Sequence, residues 1–105
     1  MPAVARFGDP VATGHTCTAI TSIVGKSSNV KANNIGVSFQ GAALASHTIP
    51  TPVAGPPAKI VCLPHGSVIN AGLSSVRVNN IPIARKTDSA DLGAVTNGSP
   101  NVNAG

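Results

Sequence analysis

Five side chains in this 105-residue sequence carry metal-ligand chemistry of the soft or borderline kind: His15, Cys17, His47, Cys62 and His65. Zinc favours imidazole and thiolate donors, and a structural zinc site takes four of them in a tetrahedron. The run Cys62-Leu63-Pro64-His65 has the spacing of a Cys-x-x-His knuckle, with a proline to stiffen it. Gly14-His15 and Ser46-His47 fall at turn signals, where side chains can converge. His15, His47, Cys62 and His65 are therefore the candidate zinc ligands, and Cys17 is the spare. Taken singly, a histidine is commonly a polar surface residue and a cysteine a small buried apolar group. The concentration of all three histidines and a cysteine at turns carries the reading. A thiolate in the set favours zinc over iron.

The same inventory argues against catalysis. A catalytic zinc keeps one position open and works with a base, usually a carboxylate. Glu is absent, and Asp9, Asp88 and Asp91 are the only acids. Asp9 and Asp88 occupy equivalent places in an internal repeat, which favours a structural role for both. No nucleophile elbow and no glycine-rich phosphate loop leading into a helix is present. The expectation is a non-enzymatic protein with no small-molecule substrate.

The elements that must position these ligands have little apolar mass to work with. There is no Trp or Tyr, and Phe7 and Phe39 are the only phenylalanines. Val, Ile and Ala supply the core, and a small thin-cored domain needs a staple such as a metal. Residues 1–105 read as a single domain. The chain has 11 Gly and 9 Pro with only 10% charged residues, the pattern of short strands broken by turns rather than of disorder. The net charge is +4, but the seven basic residues are scattered in ones and twos without interleaved aromatics. Nucleic-acid binders cluster their bases, so a freestanding zinc module for nucleic acid is the weaker alternative. Residues 1–6 have no apolar leader region, and no stretch approaches the roughly 20 apolar residues that span a bilayer. This predicts synthesis in the cytoplasm, where two cysteines favour metal binding or free thiols over a disulfide.

Internal repeats organise the chain. Residues 25–35 align with 72–81, given one inserted residue, and 98–105 form a third, truncated copy. Val4-Ala5-Arg6-Phe7-Gly8-Asp9 matches Ile83-Ala84-Arg85-Lys86-Thr87-Asp88. Asn33-Asn34 and Asn79-Asn80 tolerate positive φ and suit the tight primed turns of hairpins. No window holds a helical apolar stripe free of Gly and Pro, so the expectation is all-β with essentially no helix. Ile49–Pro57 is too proline-rich for a strand ladder and reads as an ordered surface loop.

These repeats resemble the PAAR-repeat family, whose members sharpen the spikes of contractile phage tails and type VI secretion systems. The resemblance rests on Pro2–Asp9, Gly72–Asn80, Pro82–Asp88 and Gly98–Val102, and covers nearly the whole chain. The Gly14-His15-Thr16-Cys17-Thr18 opening is closest to the short phage tail-spike members. Neither motif copy is a literal Pro-Ala-Ala-Arg, and residues 36–46 have lost the Arg and Asp. The resemblance implies a cone of β-hairpins whose pseudo-threefold base sits on the C-terminal end of a trimeric β-helix spike, one chain per trimer. It implies one zinc near the apex on three histidines and a cysteine, here His15, His47, His65 and Cys62. It further implies transient contact with a target cell's outer membrane. The place is then a virion baseplate or, alternatively, a secreted type VI spike. Arg6 and Arg85 are expected to brace turns or the base rather than do chemistry.

Overall fold

The computed structural model describes residues 2–55 and 59–104. Two Asn-Asn pairs close its shortest hairpins. Asn33 and Asn34 have φ of 56° and 62°, and Asn79 and Asn80 have 52° and 69°. A turn with both central residues left-handed matches the natural twist of two flanking strands. The first pair joins β3 (Lys31–Ala32) to β4 (Ile35–Gly36), and the second joins β7 (Leu73–Val78) to β8 (Ile81–Ile83).

The third copy is completed by the other end of the chain. Val4 N–H donates to Val102 at 2.9 Å, Ser99 N–H to Val4 at 2.8 Å, and Ala104 N–H to Pro2 at 3.0 Å. Residues 2–4 thus stand where Ile81–Ile83 stand in the second copy. These bonds also correct the alignment of the copies, which needs no inserted residue. Ser27 and Ser99 donate to Val37 and Val4, and Leu73 pairs with Ile83, so Lys26, Gly72 and Gly98 are equivalent. Residues 32, 78 and 104 are then buried in every copy, at 2%, 2% and 5% exposure, while Val30, Val76 and Val102 stand out at 37%, 38% and 38%.

The copies meet in a closed cycle. Ala5 N–H donates to Ala84 at 3.0 Å, Ala84 N–H to Ser38 at 3.1 Å, and Ser38 N–H to Ala5 at 2.9 Å. A second cycle repeats two residues on: Phe7 to Gly36, Gln40 to Pro82 and Lys86 to Ala3, at 2.9, 2.9 and 2.7 Å. The segment at 37–42, which lacks the Arg and Asp, therefore keeps the backbone of the other two. In the two copies that have them, Arg6 clasps Asp9 through Nε and NH2 at 3.2 and 3.1 Å, and Arg85 clasps Asp88 at 3.5 and 3.2 Å. Each Asp also accepts its arginine's own amide at 2.8 Å, so both pairs brace turns.

Beyond the cycle the chain leaves the axis in three excursions. Residues 10–22 form β1 (Pro10–Ala12) and β2 (Ile20–Ser22), and residues 89–94 lie in β9 (Ser89–Ala90) and β10 (Gly93–Val95) or the turn between them. These four make one antiparallel sheet in the order β2-β1-β10-β9. Residues 43–68 carry the longest ladder, β5 (His47–Val53) against β6 (Lys59–His65), with seven residue pairs in register. The apolar interior runs in two layers: Val4, Val37, Val78 and Ile83 near the Asn turns, then Val11, Ile23, Ile69 and Val95 beyond the cycle. Phe39 packs against both. The result is a rod of 52 × 22 × 22 Å.

All described residues are strand, turn or irregular, in agreement with the all-β expectation. The proline-rich stretch differs from expectation: Ile49–Val53 are paired strand, while Pro56 and Pro57 lie outside the described residues. Pro50, Pro52 and Pro64 share one parity of the register, opposite Cys62, Ile60 and Thr48. Pairs of that parity are the non-hydrogen-bonded kind, whose amides point outward, so proline there breaks no ladder bond and blunts the edge.

Thr87 occupies the same turn position as Gly8 and Gly41, with φ of 76° against 84° and 87°. A β-branched residue there costs about 1–3 kcal/mol, while glycine's extra chain entropy costs about 0.5–1. Thr87→Gly should therefore stabilise the protein by about 1 kcal/mol and raise Tm by roughly 4 °C or more. A calorimetric melt that is unchanged or lowered would refute the equivalence of the three turns.

Candidate metal centre

The three excursions converge at the far side of the second apolar layer. The first contributes His15, the second His47 and His65, and the third Asp91. His47 opens β5 and His65 closes β6, so the hairpin register sets them directly opposite each other. Gly14 makes room for the neighbouring arm: a Cβ at that residue, φ +79°, would lie 2.7 Å from the Leu92 backbone. His15 N–H donates to Thr13 Oγ1 at 3.0 Å, which orients the turn. Asp91 sits at φ 53° in the β9–β10 turn, and its carbonyl accepts from Asn70 Nδ2 at 2.9 Å.

The donor atoms of His15, His47, His65 and Asp91 all lie within 4.8 Å of one another, and the four residues could hold a metal ion. The imidazole centroids are 5.1 to 5.7 Å apart. His15 Nε2 lies 3.0 Å from both Asp91 oxygens, His47 Nε2 lies 2.7 Å from Oδ2, and His65 Nε2 lies 3.5 Å from Oδ1. His47 is 1% exposed at its side chain and Asp91 7%.

Two features fit a cation at this point. His47 Nδ1 lies 3.0 Å from the Ala45 carbonyl, an obligate acceptor, so Nδ1 must carry the proton. A neutral His47 then turns a bare Nε2 lone pair toward a carboxylate oxygen at 2.7 Å, and two acceptors face each other with nothing between. A proton on the ring or a metal between the atoms resolves this, and an Nδ1–H to carbonyl bond is the usual outer partner of a ligating histidine. In addition, His65 Nε2 is buried without any hydrogen-bond partner. Burial works to raise the Asp91 pKa, but hydrogen bonding by His15, and by His47 when its ring carries both protons, with the charges of His15 and His65, outweighs it and holds it below the ordinary 3.8. The group is thus an anion ready to ligate.

The structure brings together three of the four residues expected from sequence and replaces the fourth. Cys62 is bonded to Cys17 in a disulfide with Cα atoms 5.8 Å apart, so neither cysteine is a free thiol or a ligand in this structure. The reason is local geometry. A Cys-x-x-His knuckle needs a turn between its ligands, whereas residues 59–65 are extended, and side chains three apart on a strand face opposite ways. Asp91 is the fourth member of the group that converges there. It had a sequence signal: of the three acids, it alone lies outside the repeated Arg-x-x-Asp unit. The disulfide closes a 45-residue separation and ties the first excursion to the second. Thr18 reinforces that tie, its Oγ1 lying 2.7 Å from Thr48 Oγ1 and accepting the Thr48 amide at 3.1 Å.

No protein-family model matches the chain, and no curated protein matches its sequence.

Two measurements check this centre. Metal titration by calorimetry should give one ion per chain, with affinity reduced about 100-fold or more in His15→Ala, His65→Ala and Asp91→Asn, since even outer partners of a ligand are worth about 10–100-fold. Cys62→Ser should bind as the parent does, and loss of the metal in Cys62→Ser with retention in Asp91→Asn would reverse the assignment. Separately, a strong chelator should lower Tm by about 10 °C or more, because structural metal binding contributes on the order of 10 kcal/mol to small domains. An unchanged melt after verified metal removal would mean the ion does not hold the end together.

Proposed function

We propose that this protein is the structural tip of a contractile injection machine, a cone that caps and sharpens a trimeric β-helix spike. The observation that carries the reading is the threefold cycle at the axis together with Val30, Val76 and Val102, which present equal exposure from three equivalent hairpins. A single chain built this way offers a threefold support three nearly identical footings. Neighbouring copies are stitched beside that ring: Asn33 Nδ2 donates to Asn101 Oδ1 at 2.7 Å, and Asn79 Nδ2 to Asn29 Oδ1 at 3.1 Å, the same contact one copy over. Apolar β-branched residues on short hairpins suit a blunt β-helix end, whose open strand edges can be continued by added strands.

The opposite end then faces the target membrane, and the hairpin β5–β6 leads. Its described residues carry one basic side chain, Lys59, and no acid, with Ile60 and Leu63 exposed at 70% and 43%. Behind it one structural metal on His15, His47, His65 and Asp91, with the Cys17–Cys62 bond, ties the three excursions against bending. Three imidazoles and a carboxylate remain a donor set that zinc accepts in a closed tetrahedral site. On this reading the protein has no catalytic role. It resembles the PAAR-repeat family in its repeats and belongs to a phage baseplate or a type VI spike.

Mixed with the C-terminal β-helix fragment of the machine's spike, the protein should form a complex of one chain per trimer by light scattering. Val30→Glu/Val76→Glu/Val102→Glu should abolish that complex with little change in melt, since all three side chains are exposed. Three chains per trimer, or DNA binding at physiological salt in place of the complex, would count against the tip and, in the second case, for the nucleic-acid module.

A further inference from the structure

The threefold pattern is broken in one place that has the makings of a binding site. Positions 72 and 98 are glycine, where a Cβ would come within 2.7 Å of the Ile83 and Val4 carbonyls, yet their counterpart in the first copy is Lys26. Lys31 is a second lysine, in the place of Arg77 and Asn103, and Phe7 stands in the place of Gln40 and Lys86. Lys26 Nζ lies 4.6 Å from the Phe7 ring centroid. Gly36 lets the opposing strand lie close beneath: a Cβ there would meet the Ser27 carbonyl oxygen first and would lie 3.1 Å from Lys26 Cβ. Together with Ser28, Asn34 and Ile35 these residues line an open cavity of about 370 Å³. That lies within the span of small-ligand sites, roughly 300–1,000 Å³.

The polar groups of the cavity are uncommitted. Asp9 is clasped by Arg6, Asp88 by Arg85, and Asp91 by histidines, so no carboxylate among the described residues pairs with Lys26 or Lys31. The side chains of Ser28 and Asn34 hydrogen-bond no other described residue, although their neighbours Ser27 and Asn33 are fully engaged. Two ammonium groups, a hydroxyl and an amide therefore meet over an aromatic and an aliphatic wall. We propose that this cavity binds a carboxylate on an aliphatic stem, an acidic side chain of the protein that covers the valine ring. Phe7 and Ile35 match the methylenes of such a side chain, and the lysines match its charge. Lys31 directly follows Val30 of the ring, which places the cavity at the rim of that contact. The source of the carboxylate rests on the spike-tip reading, whereas the cavity's preference for one does not. Rim charges of this kind act chiefly on association rate and partner choice.

The probe for the cavity is a tetraglutamate peptide, followed by amide shifts in NMR, with inorganic phosphate as the comparison. The peptide should saturably shift Phe7, Ser28, Lys31 and Asn34. Lys26→Ala/Lys31→Ala should weaken it by about tenfold, and Arg77→Ala/Lys86→Ala, which removes equal charge elsewhere, by no more than about twofold. Absence of a saturable shift, equal losses in both double variants, or tighter binding of phosphate than of peptide would overturn the site. In the spike mixture, Lys26→Ala/Lys31→Ala should associate about tenfold more slowly at low salt while keeping one chain per trimer. An unchanged rate would overturn the assignment of the carboxylate to the spike. Peptide binding without any wild-type spike complex would sink the tip reading and leave the cavity standing.

Discussion

The cycle of amides from Ala5 to Ala84 to Ser38 and back is the constraint from which the remaining architecture follows. Three backbones can hydrogen-bond head to tail around one axis only if the side chains at the crossing are minimal. All three residues are fully buried, and none is larger than serine. Close packing leaves no room to enlarge them without forcing the three backbones apart. That requirement propagates outward. The side chains just off the axis must be short as well, which accounts for layers of Val, Ile and Ala and for an interior almost free of aromatic rings. Phe39, at the position occupied elsewhere by an arginine, is the exception and spans both layers.

A thin core along a 52 Å rod cannot hold its own far end, and the molecule supplies two cross-links there. The disulfide joins the first excursion to the second, and the histidine–carboxylate centre joins all three. Their placement follows from where burial fails. Near the Asn turns the copies stitch one another through side-chain amides, while arginine–aspartate clasps brace the turns within two of them. Beyond the second layer no equivalent contacts recur among the described residues, because the excursions at 10–22, 43–68 and 89–94 differ in length. Convergent ligands can tie arms of unequal length where repeated packing cannot.

Much of this was legible in the sequence wherever a residue type has one backbone use. The Asn-Asn pairs announced their turns because asparagine tolerates the left-handed region. The repeat announced equivalent hairpins, and the three histidines announced a convergent site. What escaped was set by pairing across long distances. The third hairpin borrows residues 2–4, a partnership invisible to any local window. Prolines that argued against a strand at 49–53 are accommodated because their shared parity turns them outward, and parity depends on the register with 59–65. That register also decided the cysteine. Once 59–65 is extended, Cys62 and His65 face opposite sides, so the spacing that suggests a knuckle in a turn means separation on a strand.

The departures from threefold symmetry fall into two sets with different physical meaning. At one end Val30, Val76 and Val102 agree in exposure, residues 32, 78 and 104 are all buried, and the departures are substitutions on a shared backbone: Lys26, Lys31 and Phe7 on one row, Phe39 and Ala42 where the other copies carry Arg and Asp. At the other end the excursions differ: the first and third are short hairpins of three and two residue pairs that share one sheet, and the second is a seven-pair hairpin standing apart from it. Symmetry is lost where the excursions leave the cycle, and His15, His47, His65 and Asp91 are where those three unlike segments are brought together again.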